Sequence, residues 1–97
     1  TQLNPKYAPG FYQRGIAWAR QGDLRRAIED FTRSIECSPR SPEGYFNRGK
    51  ARKLVGEISG AIEDYKKVLE LTSPKWKGRA QVENIIKDLR EQAAGSR

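Results

Sequence analysis

Residues 27–31 read AIEDF and residues 61–65 read AIEDY, thirty-four positions apart, and the agreement between the two stretches spreads well beyond these five residues. At the same offset Phe11 falls on Tyr45, Tyr12 on Phe46, Arg14 on Arg48, Gly15 on Gly49, Ala17 on Ala51, Gly22 on Gly56, Phe31 on Tyr65 and Ile35 on Leu69. A period of this length constrains the fold more than any other feature of the chain. Each unit is too small to bury its own apolar face, so neighbouring units must stack to make a continuous core.

Within a unit, Phe11, Gly15 and Trp18, then Leu24, Ile28, Phe31 and Ile35, recur at steps of three and four, the period of a helical face. The stretches QGD at 21–23 and VGE at 55–57 interrupt this pattern. There a glycine can take the left-handed conformation that ends one helix, and an acid can start the next. Pro39, Pro42 and Pro74 stand where the second helix of each unit stops and the next begins. Each unit therefore reads as a helical hairpin. Gly15 and Gly49 lie inside their helices, where each costs about 1 kcal/mol relative to Ala. A cost repeated at the same place implies a shared steric cause, and Ala27 and Ala61 on the second helices suggest close approach of two helix backbones.

The pattern Phe11-x2-Arg14-Gly15-x2-Trp18, followed by Ala27-x3-Phe31 and Pro39 and repeated by Tyr45, Gly49, Ala61, Tyr65 and Pro74, resembles the tetratricopeptide repeat over residues 8 to about 74. Arg14 and Arg48 depart from it in a slot usually held by Leu, and Arg52 replaces an expected aromatic. These side chains are expected to lay their stems along the core and keep their heads in water. The resemblance implies an all-α fold, a right-handed superhelix of helical hairpins. Residues 1–7 read as the end of a preceding repeat, 8–41 as the first full repeat, 42–75 as the second, 76–93 as a capping helix beginning at Trp76 and 94–97 as a tail. Val82, Ile85, Ile86 and Leu89 supply the capping helix with one apolar stripe.

Composition narrows the function. Histidine is absent and cysteine occurs once, so the chain lacks His-based acid/base chemistry, a Cys/His metal cluster and an internal disulfide. No glycine-rich phosphate loop or nucleophile elbow is present. The expectation is a non-enzymatic protein without cofactor or metal, soluble and cytoplasmic, since no apolar run approaches the roughly 18 residues needed to span a bilayer. Cys37 reads as a small core residue and Trp76 as a packing residue. Asp30 and Asp64, with Glu29 and Glu63, read as solvated faces, because adjacent residues on a helix point apart.

The resemblance further implies that the first helices of the hairpins line a concave groove that holds a peptide of another protein. Here that groove would present Tyr12, Gln13, Ile16 and Arg20 from the first unit and Phe46, Asn47, Lys50 and Lys53 from the second. Net charge supports the same surface: residues 1–22 and 41–56 each carry +3, whereas 23–40 carry 0 and 57–73 carry −2, in a chain of +7. The expected partner is a protein or peptide, acidic or bearing a free C-terminal carboxylate. The carboxylate clamp of co-chaperone repeats would need matches at Tyr12, Ile16, Asn47, Lys77 and Gln81, and only two of these five fit. Two other readings stand beside the groove. A pI near 9.9 with several aromatics suggests single-stranded nucleic-acid binding, which is disfavoured because Trp18 lies on the packing stripe. Two repeats are also fewer than such arrays usually need, which suggests a structural segment that self-associates as a homo-oligomer.

Overall fold

The computed structural model describes residues 8–95. The readings made for residues 1–7, and for Ser96 and Arg97, lie outside the described residues. Five helices follow one another: α1 (Ala8–Arg20), α2 (Leu24–Cys37), α3 (Pro42–Val55), α4 (Ile58–Leu71) and α5 (Arg79–Gly95). No strand occurs among the described residues.

The breakers act as their chemistry requires. Gly22 and Gly56 have φ of 87° and 90°. The amide of Asp23 donates to the Trp18 carbonyl at 2.9 Å, and that of Glu57 to the Arg52 carbonyl at 2.8 Å. This is the six-to-one closure that satisfies the last carbonyls of α1 and α3. Asp23 then caps α2 by accepting from the Arg26 amide at 3.2 Å. Pro42 opens α3, where its missing N–H costs nothing. The chain after Pro74 turns instead of coiling, so α5 starts at Arg79, three residues beyond Trp76, and runs through Gly95 into the expected tail.

Each helix packs chiefly on the next along the chain: α1 on α2, α2 on α3, α3 on α4 and α4 on α5. The main buried cluster comprises Ile35, Tyr45, Ala61, Tyr65, Val68, Val82, Ile86 and Leu89, so it is centred on the second hairpin and α5. Ala27 and Phe31 bury the first hairpin. The interior glycines do have a steric cause, which differs from the one the sequence suggests at Gly15 and matches it in part at Gly49. A methyl group at Gly15 would stand 2.7 Å from Phe31 Cε1, and one at Gly49 would stand 3.1 Å from Asp64 Cβ and 3.3 Å from Tyr65 Cε2. At Gly15 the space is taken by the Phe31 ring, while at Gly49 Asp64 and Tyr65 share it with the Ala61 carbonyl oxygen at 3.4 Å, so the second helix backbone does approach closely there.

Asp30 and Asp64 are each only 3% exposed, which overturns their reading as solvated faces. Arg14 donates from Nε and Nη2 to the two oxygens of Asp30 at 2.7 and 2.9 Å. Arg48 grips Asp64 in the same two-pronged way at 2.9 and 2.8 Å, and Arg52 adds a third contact at 3.2 Å. A carboxylate without water must be paired, and the planar guanidinium matches both of its oxygens. The arginines in a usual leucine slot and the repeated aspartates thus form one device that pins the first helix of each hairpin to the second. Arg48 is not wet as expected: its side chain is 15% exposed against 60% for Arg14. Its Nη1 also donates to Thr32 Oγ1 at 3.1 Å, joining the two hairpins. Glu29 and Glu63 are exposed. Cys37, expected in the core, ends α2 half-buried.

Candidate functional site

Two cavities open beside α1 and α3, and they meet at Asn47. The first, of about 320 Å³, is walled by Tyr12 of α1, Glu43, Phe46 and Asn47 of α3, Trp76 of the turn and Gln81 of α5, with Val68, Thr72 and Val82 beneath. The second, of about 410 Å³, lies further along both helices between Ile16, Ala19 and Arg20 on one side and Asn47, Lys50 and Leu54 on the other. The groove-facing aromatics are seated on the core aromatics of the second helices. Tyr12 lies 6.0 Å from Phe31, tilted by 55°, and Phe46 meets Tyr65 edge-on at 5.6 Å. The same seating recurs at the repeat offset, so these rings hold fixed positions at the groove floor.

Of the residues nominated from the sequence, Tyr12, Phe46 and Asn47 come together in the first cavity and Ile16, Arg20, Asn47 and Lys50 in the second. Gln13 and Lys53 are exposed and line neither. Asn47 is partly committed already. Its amide nitrogen donates to the Tyr12 hydroxyl at 2.9 Å and to the Glu43 carbonyl at 3.0 Å. Both amide hydrogens are therefore used, and Oδ1 is the part of the amide left to make further bonds, as an acceptor. Burial, and then the negative charge of Glu43, push the Tyr12 hydroxyl above its ordinary pKa, with the Asn47 hydrogen bond opposing them. In the core against Phe46, Tyr65 is pushed up to about 12 by burial and then by Asp64, so it stays neutral.

Charge counted from the sequence overstates what the groove offers. Arg14, Arg48 and Arg52 lie on the first helices but turn to Asp30 and Asp64. Arg20, Lys50 and Lys53 make no ion pair among the described residues and keep their charge available. Three further residues wall the first cavity: Trp76, read from the sequence as a packing residue, Gln81, read only as an unmatched clamp position, and Glu43, which was not nominated. Trp76 is 39% exposed and its indole covers Gly78, where a methyl group would overlap the ring. The turn after Pro74 breaks the helical register there, so no periodic count reaches Trp76. Gln81 had a signal, since it follows Asn47 by one repeat. A further cavity, of about 510 Å³, lies between α4 and α5 among Lys66, Glu83, Lys87, Arg90 and Glu91 with Leu69 and Ile86, away from every nominated residue.

With this geometry in hand, comparison with known proteins decides the fold family. Residues 8–41 match the tetratricopeptide repeat model. The five helices fit two such repeats and a capping helix. The chain has the tetratricopeptide repeat fold. The first such domain of Spaghetti (RPAP3), solved bound to the HSP90 peptide SRMEEVD, superimposes with a TM-score of 0.78 at 24% identity, covering 96% of this chain and 68% of that one. The second domain of the same protein, bound to the same peptide, gives 0.73 at 23% identity, covering 94% and 87%. No curated protein matches the sequence. Within the repeats, α1 and α3 are the first helices of the two hairpins, and α5 takes the place of a third. No helix among the described residues is long and apolar enough to cross a membrane.

Proposed function

We propose that this chain is a protein-interaction module without catalytic activity, whose groove along α1, α3 and α5 holds an extended, acidic segment of a partner protein. The observation that carries this reading is the pairing of fixed aromatic walls with unpaired cations: Tyr12 and Phe46 are held on core rings, and Arg20 and Lys50 line the adjoining cavity. Apolar anchors in a formed pocket supply affinity, and cations without a partner supply preference for acidic chains and faster association. The two solved domains named above hold an acidic peptide of their own partner in the same fold. Single-stranded nucleic acid is less well served. Trp18 already carries the Arg26 guanidinium 4.8 Å above its ring, which occupies a face a base would need.

The test is fluorescence anisotropy with labelled acidic peptides and with a single-stranded oligonucleotide, on the native chain and on a Lys50→Glu/Lys53→Glu variant of unchanged helicity. Peptide affinity should fall at least tenfold in the variant. Equal peptide affinity in both proteins, or tighter binding of the oligonucleotide with a steep salt dependence, would refute the proposal.

A further inference from the structure

We infer that the groove is divided by chemistry, taking an internal segment of its partner with an apolar side chain among Tyr12, Phe46 and Trp76 and a carboxylate side chain over Arg20 and Lys50, and not a chain-terminal carboxylate. This rests on the peptide-binding reading above and specifies its ligand.

The two cavities differ in what they can bind. Among the described residues Glu43 is the charged residue lining the first, and no Lys or Arg lines it. Asn47, which lines it, has its amide nitrogen bonded to the Tyr12 hydroxyl and the Glu43 carbonyl, so its side chain has no hydrogen left to donate to a ligand. A carboxylate entering there would meet the Glu43 charge, with only the neutral donors of Tyr12, Trp76 and Gln81 and no cation among the described residues to offset its lost water. An apolar side chain would find Phe46, Trp76, Val68 and Val82 around it. The second cavity reverses this character, since its charged residues are Arg20 and Lys50 and its remaining walls include Ile16 and Leu54. Leu54 is 62% exposed and extends the apolar rim past Lys50.

Spacing sets the register. From Phe46 to Lys50 is about 6 Å along α3, and from Tyr12 to Arg20 about 12 Å along α1, at 1.5 Å of rise per residue. An extended chain covers those lengths in about two to four residues. The segment therefore carries its apolar and acidic side chains about three residues apart, with no requirement for a free end.

The probes are peptides blocked at both ends by acetyl and amide groups, each with one Leu or Phe and one Glu separated by one to six residues, in both orders. The peptide SRMEEVD, as free acid and as amide, is measured beside them. Blocked peptides with a separation near three should bind best, and amidation of SRMEEVD should change its affinity less than twofold. Trp76→Ala should cost about tenfold for the Leu or Phe peptides and nothing for their Ala counterparts, in a protein of unchanged circular dichroism. Glu43→Lys should raise the affinity of peptides with a second Glu at the apolar position. Binding that needs the free terminal carboxylate, or that ignores both the separation and Trp76, would overturn this inference and leave the broader reading standing. Absence of binding to every peptide, the free acid included, would overturn both.

Discussion

At the residue scale, Asp64 shows how a polar group becomes part of a small core. Three nitrogens of Arg48 and Arg52 lie within 3.2 Å of its carboxylate, and both arginine side chains are at most a quarter exposed. Removing one partner of a buried pair leaves the other charge without water or counter-ion, and the cost reaches about 3 kcal/mol. Asp64→Ala should therefore unfold at a much lower denaturant concentration than the native chain, as read by circular dichroism. Asp30→Ala should cost clearly less, because water already reaches Arg14 and will solvate it when the carboxylate is gone. Equal losses would show that the pairs do not owe their strength to burial. This pairing was legible in part: Arg and Asp recur together at the repeat offset. What a helical wheel hides is that a residue sixteen positions on, across the hairpin, faces the first.

At the scale of the element, each hairpin depends on a glycine in its first helix that makes room for a ring of its second. Gly15 is the tighter case, since an added methyl would stand under 3.0 Å from two carbons of the fully buried Phe31 ring. Alanine restores about 1 kcal/mol of helix propensity but forces the ring aside, at a cost of about 1–3 kcal/mol. Gly15→Ala should accordingly destabilise the chain by about 1 kcal/mol and shift the Phe31 ring resonances, whereas Gly49→Ala, with its nearest contact at 3.1 Å, should be closer to neutral. A stabilised Gly15→Ala would mean that the ring has somewhere to go. The helix boundaries themselves could be read from glycine and proline, because those residues act through their own backbone. The start of α5 could not, since it depends on how the turn at Trp76 folds over Gly78.

At the scale of the whole molecule, contacts run chiefly between successive helices, so stability is distributed along the stack and its ends open first. The cluster centred on α3, α4 and α5 contains Tyr65, Val68, Val82 and Leu89, all nearly or fully buried. Among the described residues α1 has no such cover: Gly10 and Arg14 are exposed and Phe11 and Trp18 only half-buried, whereas Gly44 and Tyr45 of α3, the counterparts of Gly10 and Phe11, are buried. Native-state amide exchange should therefore find α1 least protected and α3 and α4 most. Uniform protection across the five helices would contradict this and would indicate a single cooperative unit.

The family resemblance implied which helices line the groove; the amino-acid sequence alone determined the hairpin repeat and its aromatic and glycine positions. These follow from local geometry: a period of three to four residues defines a face, and a period of thirty-four defines a unit. Only the tertiary structure decided which charges the groove keeps. Whether an arginine on a first helix faces a ligand or a buried aspartate depends on the rotation of one helix against another, and that rotation is set by the packing of all five.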